Sequence, residues 1–348
     1  MFYIRADGNE KVGMGHVMRC LTIAEALRRL GWEVLFITAD ERPVKLIEMR
    51  GFGVKTLSAR YDDMEAELQI LMAVLAESGR ETPDEIKILV DSYFVTKRYL
   101  EKLGSAAKVI LMDDEKKEIY PCDGLVNYNI FGETLGYERD YPSQTKLFLG
   151  CSYMPLREQF RDRPYRVRER AENILLTTGG GDSCHMALAM AERLMDKSSV
   201  KGMDIPVWHI VCGPYHPDTG RLKELASQCG ILRIHENVTQ MSDLMMGCDI
   251  AVSAAGSTFY ELSSIGIPVV GFYFAENQRI NMETFAKLTP IKNAGDFSAQ
   301  PESVLDFIEE EVERLCGEKT LREEISQSMK TIVDGRGADR LAKGFCSL

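Results

Sequence analysis

Short apolar runs without internal proline alternate with amphipathic stretches along this chain, and that rhythm limits its fold more than any other feature. Glu33–Thr38, Ile86–Asp91 and Lys108–Asp114 are such runs, with Phe2–Arg5 before them and Phe52–Val54 as a shorter one. Apolar on both faces, they read as strands covered on both sides. Helical spacing separates them: Gly15 to about Leu30, stopped by Gly31; Val44–Met49 behind Pro43; and Met64–Leu75. Strands and helices alternating in this way dictate a parallel sheet with helices on both faces. The working residues of such sheets lie beyond the carboxyl ends of the strands. Arg5, Asp7, Asp91, Asp113 and Asp114 all fall there, and at least one of these acids is expected merely to cap a following helix.

The rhythm breaks from Tyr120 to Phe160 and then restarts. Asn173–Thr178, Val207–Val211, Leu232–Ile234, Asp249–Val252 and Pro268–Phe272 read as a second set of strands, with a helix from about Cys184 and another from Glu276. Arg161–Arg170 is polar and basic and contains Pro164, so the domain joint is expected near residue 165. The chain has 348 residues, enough for two ordinary domains. The expected fold is α/β: two Rossmann-like, doubly wound domains facing a cleft, residues 1–164 and 165–348. Glu302–Lys343 reads as extra helices without a chemical motif, and Glu309–Glu311 as a solvated face.

Composition closes off several classes. Apolar residues make up 45% of the chain, enough for sizeable cores. The net charge of -11 argues against a nucleic-acid partner, which asks for a basic stripe. It does not argue against an anionic small molecule held by helix ends and a few arginines. The nine cysteines are scattered and form no C-x-x-C pair, which fits reduced thiols in a cytoplasmic protein better than disulfides or zinc. Cys20 reads as a buried structural thiol. No apolar run reaches membrane-spanning length, and the N-terminus reads as a strand and not as a signal peptide.

The chemistry concentrates at Gly13-Met14-Gly15-His16, between the first strand and the first helix. Glycines let the backbone approach a ligand, and a helix start directs free N–H groups and partial positive charge at it. His16 puts a proton-transfer group in that space. A third glycine at dinucleotide spacing is absent, so this is not the nicotinamide fingerprint. Two later turns repeat the design, Gly179-Gly180-Gly181-Asp182 after a strand and Gly256-Ser257-Thr258 before a helix. The three helix starts could converge on a sugar nucleotide.

At this point the motifs resemble the UDP-sugar hydrolases of pseudaminic acid biosynthesis, which are related to the B-type (GT-B) glycosyltransferases of the MurG type. The stretches that carry the resemblance are I-R-A-D-G at Ile4–Gly8, G-M-G-H-V-M-R-C at Gly13–Cys20, V-D-S-Y at Val90–Tyr93 and M-D-D at Met112–Asp114. They continue with C-D-G-L-V-N-Y-N at Cys122–Asn129, G-C-S-Y-M-P-L-R-E-Q-F at Gly150–Phe160, T-G-G-G-D at Thr178–Asp182, A-G-S-T-F-Y-E-L at Ala255–Leu262 and E-N-Q at Glu276–Gln278. Together they cover about residues 4 to 290. The resemblance implies release of UDP from UDP-2,4-diacetamido-2,4,6-trideoxy-β-L-altrose by water, with inversion and without a cofactor or a metal.

The same resemblance sorts the candidate residues. His16 becomes the base or the residue that orients water. Arg5, Asp7, Gly15, Arg19, Tyr93, Asn129, Tyr153, Arg157, Asn277 and Gln278 become candidates for the sugar side. Tyr153 and Arg157 lie four apart and would share a face on a helix. Gly180, Gly181, Asp182, Gly256, Ser257 and Thr258 become candidates for the diphosphate, Glu261 for the ribose, and Val238 and Met241 for the uracil pocket, with core packing equally open to the last two. Ser257 and Thr258 could equally cap their helix. His185, His209, His216 and His235 lack metal-ligand spacing and read as structural or surface residues. The expected partner is a small UDP-sugar bound to a monomer, with no nucleic acid and no integral membrane segment. A GT-B transferase with a hydroxyl acceptor, a non-catalytic sugar-nucleotide binder and a hydrolase for a related diacetamido sugar stay open.

Overall fold

The computed structural model describes every residue except 78, 80, 81, 199–204, 214 and 215. It divides into two compact units, Met1–Leu156 with Arg336–Leu348, and Arg157–Gly335.

In the first unit, β1 (Phe2–Ala6), β2 (Val34–Thr38), β3 (Gly53–Thr56), β4 (Lys87–Asp91), β5 (Lys108–Met112), β6 (Gly124–Asn127) and β7 (Lys146–Leu149) form one sheet. Its order is β3-β2-β1-β4-β5-β6-β7, and every pair is parallel. The chain winds outward from β1 in one direction and from β4 in the other, so the switch point lies between β1 and β4. There Ala6 stands opposite Asp91. β1 and β4 are buried along their whole length, as strands covered on both faces must be.

The second unit repeats the plan. β8 (Asn173–Thr177), β9 (Val207–Cys212), β10 (Leu232–Glu236), β11 (Ile250–Ala254), β12 (Val269–Tyr273) and β13 (Lys292–Asp296) are parallel, in the order β10-β9-β8-β11-β12-β13. Its switch point lies between β8 and β11, with Thr177 opposite Ser253. Gly271 on β12 makes room for its covering helix Glu276–Leu288, since a Cβ there would stand 2.2 Å from Met282 Sδ.

The sequence reading differs from this structure in four places. The interruption at Tyr120–Phe160 contains β6 and β7, which complete the first sheet. Both are only four residues long; β6, though wholly buried, offers just Leu125 and Val126 between Gly124 and Asn127, and β7 is an edge strand opening on exposed Lys146. β13, Lys-Asn-Ala-Gly-Asp, carries one small apolar residue because it too is an edge strand. The joint falls at Leu156/Arg157 rather than near 165.

The C-terminal residues are the largest correction. Arg336–Leu348 belongs to the first unit and not to the second. The helix Gly337–Cys346 buries Leu341, Ala342 and Phe345. Phe345 stacks on Phe2 and meets Phe148 edge-on. Arg29 donates to Asp339 at 2.7 Å, and Lys87 Nζ donates to the carbonyls of Phe345 and Cys346 at 3.0 and 2.9 Å. Lys87 thus satisfies two of the carbonyl groups that every helix C-terminus leaves open. Among the described residues no helix is long and apolar enough to cross a membrane.

Candidate functional site

The first unit gathers its polar side chains at the β1/β4 switch point. The helix Gly15–Arg29 starts just past β1, after Gly13 has turned the chain with φ of 71°. Asn9 holds that turn, its Oδ1 accepting from Lys11 and Val12 N–H at 2.8 and 3.0 Å. His16, Arg19 and Cys20 stand at i, i+3 and i+4, so one helix face meets the end of β4.

There all three converge on Asp91, which is 1% exposed. His16 Nδ1 lies 2.5 Å from Asp91 Oδ1, Arg19 Nε donates to Oδ2 at 2.6 Å, Arg19 Nη2 donates to Oδ1 at 2.5 Å and Cys20 Sγ donates to Oδ2 at 3.4 Å. Arg19 also reaches both oxygens of Asp114 at 2.9 and 3.0 Å, and the hydroxyl of Tyr128. Burial works against a charge on Asp91, yet the Arg19 guanidinium and His16 hold its carboxyl far below the usual carboxylate range. An ionised carboxylate only accepts, so the neutral tautomer of His16 that satisfies Asp91 is the one with its proton on Nδ1 and its lone pair on Nε2. A histidine fixed in that tautomer by a buried acid is built to take a proton.

Tyr93 completes this group. Its ring meets the His16 ring edge-on with centroids 4.6 Å apart, and its hydroxyl donates to Asp114 at 3.3 Å. Asn129 is buried beside the end of β6, donating to Asn127 Oδ1 at 3.1 Å. Asp113 closes the turn after β5, its Oδ1 accepting from Glu115 and Lys116 N–H, but the next element is β6 and no helix starts there, so it is not the helix cap expected of one of these acids.

Arg5 and Asp7 answer a different need from the one expected. Arg5 is 0% exposed. It donates to both oxygens of Glu67 at 2.7 and 2.6 Å and to Asp7 at 2.6 Å. The other Asp7 oxygen accepts from Ala39 N–H at 2.7 Å. These groups tie β1 to its surroundings. Tyr153 lies in the short turn Cys151–Tyr153, edge-on to Phe148. The backbone is extended at Met154 and at Arg157, so Tyr153 and Arg157 share no helical face.

In the second unit the two glycine turns flank the β8/β11 switch point. Gly179 takes φ of 89°, and a Cβ on Gly213 would stand 2.6 Å from Gly180 O, so two loops pass at closest range here. Asp182 turns inward: its oxygens accept from Met186 and Ala187 N–H at 3.0 and 2.8 Å, capping the helix Met186–Ser198. Its carboxylate is thereby used inside the fold, and Asp182 is buried. Gly256 precedes the helix Ser257–Ile265, and no side chain caps it, so Ser257 and Thr258 do not serve that role. Glu261, one turn further on, accepts from Arg157 Nη2 at 2.9 Å. Burial lifts the Glu261 pKa above its ordinary value, and Arg157 pulls against that lift.

The remaining candidates are dispersed. Met241 is buried at the start of the helix Met241–Gly247, Val238 is half-buried and Asn277 is exposed. Gln278 folds back to accept from Phe274 N–H at 3.1 Å. Of the four other histidines, His185 holds Asp218 at 2.7 Å from a left-handed backbone position, and His216 lies 3.5 Å from Asp182. His209 and His235 stack on one another, with Nδ1 and Nε2 2.9 Å apart. Among the described residues no group of three or more His, Cys, Asp or Glu is arranged to hold a metal ion.

Sequence reasoning placed Asp91 and Asp114 at strand ends but did not assign them a role beside His16. The signal was there, since an acid closing a strand next to a glycine–histidine turn sits at a switch point once the strand order is known.

No family model matches the chain. It is 27% identical over 83% of its length to an uncharacterised protein of Methanocaldococcus jannaschii, of which it covers 60%. It is 25% identical over 97% of its length to the spore coat polysaccharide biosynthesis protein SpsG of Bacillus subtilis, of which it covers 95%. It is 24% identical over 81% of its length to the UDP-2,4-diacetamido-2,4,6-trideoxy-β-L-altropyranose hydrolase of Campylobacter jejuni, of which it covers 95%. Among solved structures, Acinetobacter baumannii MurG superposes over 100% of the chain and 99% of its own, with a TM-score of 0.66 at 14% identity. The glycotransferase of kitacinnamycin superposes over 99% of the chain and 98% of its own, with a TM-score of 0.67 at 16% identity. These similarities show the fold, the two Rossmann-like units of the B-type glycosyltransferases.

Proposed function

We propose that this chain is an inverting UDP-sugar hydrolase that releases UDP from UDP-2,4-diacetamido-2,4,6-trideoxy-β-L-altrose, a step of pseudaminic acid biosynthesis. The observation that carries the reading is the 2.5 Å contact of His16 Nδ1 with Asp91, whose charge Arg19 fixes in place. The motif resemblance supports it, as do the names of the Campylobacter relative and of a Helicobacter pylori relative that pairs the same hydrolase with a pseudaminic acid cytidylyltransferase. The chain covers 45% of that longer protein.

In this reading a water molecule stands against His16 Nε2. It attacks the anomeric carbon while Nε2 takes its proton. The new bond joins the water oxygen to that carbon. The bond to the β-phosphate oxygen breaks, and its electron pair leaves with UDP. Asp91 stabilises the imidazolium that forms, in the manner of an acid behind a catalytic histidine. The second unit holds the leaving group: N–H groups at Gly180, Gly181, Ser257 and Thr258 face the diphosphate, Gly256, whose own N–H is bonded to Ala254 O, leaves open space beside them, Glu261 takes the ribose hydroxyls, and Val238 and Met241 border the uracil. Arg19, Tyr93, Asn129, Tyr153, Arg157, Asn277 and Gln278 remain the candidates for the sugar. Arg5 and Asp7 support the strand that carries the loop to His16.

The test is to incubate the protein with this UDP-sugar and follow the anomeric proton by NMR, with no acceptor and with EDTA in a parallel sample. Free sugar of inverted configuration in both samples is the expected result. Intact substrate with UDP still bound would turn the assignment toward a transferase or another sugar.

A further inference from the structure

The loop that follows Asp91 exposes two large aromatic side chains in succession, Tyr93 at 42% and Phe94 at 38%. Folding normally hides such groups, and the exposure here is held rather than loose. Asp91 is clamped at one end of the loop by Arg19. Phe94 N–H donates to Ser92 Oγ at 3.2 Å. Thr96 closes the other end, accepting from Tyr99 N–H at 3.0 Å to cap the helix Lys97–Gly104 and donating to Glu65 at 2.5 Å. Tyr61, from the loop after β3, meets the Phe94 ring edge-on, with centroids 5.6 Å apart. Tyr93 in turn lies against His16. Tyr93 thus touches His16, while its chain neighbour Phe94 pairs with the half-buried Tyr61.

We infer that Phe94 and Tyr61 form an apolar platform that reads the sugar of the substrate. The inference rests on the hydrolase reading above and names what sets its selectivity. A 2,4-diacetamido-2,4,6-trideoxy sugar carries three methyl groups, two on its acetamido arms and one at C6. A hydroxylated hexose offers hydroxyls where this sugar offers methyl groups. Aromatic faces and edges favour C–H surface and gain nothing from a hydroxyl that must lose its water. The sugar is the occupant because the platform follows Tyr93, which lies against His16, the base assigned to the water that attacks the anomeric carbon, whereas the nucleotide is assigned to the second unit.

The test uses the full chain carrying His16→Asn, so that substrate survives, and measures affinity by calorimetry with and without Phe94→Ala or Tyr61→Ala. Each second change is expected to weaken the UDP-diacetamido sugar roughly three- to tenfold while leaving UDP alone within about twofold. Phe94→Leu, which keeps apolar bulk, is expected to fall between the two and guards against a folding defect. Unchanged affinity for the sugar nucleotide overturns the platform, as does an equal loss for UDP. A change of oligomeric state on Phe94→Ala would give the patch to a second copy of the chain and overturn it too. Failure of the hydrolase reading shows separately, as absence of turnover by the unsubstituted protein.

Discussion

Asp91 Oδ1 stands 2.5 Å from His16 Nδ1, and Arg19 holds both oxygens of the same carboxylate. The pair fixes which imidazole nitrogen is free. Asp91→Asn would place an amide against Nδ1, favour the other tautomer and turn the lone pair away from the reacting water. The expected loss in kcat is at least about a hundredfold, with little change in UDP affinity. Steady-state kinetics beside UDP calorimetry check this; a variant with near-normal kcat would remove Asp91 from the mechanism.

Glu261 accepts from Arg157 on the helix whose start carries Ser257 and Thr258. If its carboxylate takes the ribose hydroxyls, Glu261→Ala weakens UDP by roughly tenfold or more, in keeping with a charge-assisted hydrogen bond. Glu261→Ala with the affinity of the parent chain for UDP would leave Glu261 the role of holding Arg157 and end the ribose assignment.

What the sequence disclosed and what it hid follow from the same physics. Buried strands such as β1 and β4 declare themselves because both faces must be apolar. Edge strands such as β7 and β13 do not, because one flank is open and Lys146 or Asn293 is tolerated there. His16 was legible from its glycine turn. Its partner Asp91, 75 positions away, became legible only when the strand order put β4 beside β1. Arg5 misled for a related reason: a charge at a strand end resembles a ligand contact until Glu67, on a distant helix, is seen to neutralise it.

His209 and His235 form a half-buried stacked pair whose pKa values both lie below the ordinary histidine value, through burial in each case and, for His209, through the nearby His235 and Arg233 as well. The unfolded chain therefore takes up these protons at a higher pH than the folded chain. Stability contributed here is present above the unfolded value and is lost as pH falls through the lower folded values. Going from about pH 7 to pH 5, the melting temperature should fall more steeply than in the doubly substituted His209→Gln, His235→Gln chain. His185, held by Asp218, titrates the other way, but its exposure limits its weight, and it is present in both proteins. Parallel melting curves across that range would refute the claim.

Arg322 is fully buried and joins two segments of the second unit. It donates to the carbonyls of Leu315 and Cys316 at 2.6 and 3.0 Å, and to those of Arg168 and Glu169 at 2.8 and 3.0 Å. Arg322→Met keeps most of the bulk and takes the donor from four carbonyl groups at once. The expected cost is about 3 kcal/mol, by the rule that an unmet buried acceptor costs more than the bond it replaces. Urea unfolding followed in the second unit measures it; a shift under about 1 kcal/mol would mean that water replaces the guanidinium there.

Gly337 opens the terminal helix, and a Cβ there would stand 2.2 Å from Met154 O and 2.5 Å from both Met154 N and the Tyr153 carbonyl carbon. These are backbone atoms, so no side chain can swing aside to admit a methyl group. Gly337→Ala must therefore lift the start of the helix from the turn at Cys151–Tyr153, with a loss of about 1–3 kcal/mol. Because Phe345 at the other end packs on Phe2 and Phe148, the strain should loosen the first unit and not the second. Hydrogen exchange read segment by segment distinguishes the two outcomes. Faster exchange in Phe2–Ala6 and Gly15–Arg29 is expected, and faster exchange confined to Arg157–Gly335 would contradict the assignment of the terminal helix to the first unit.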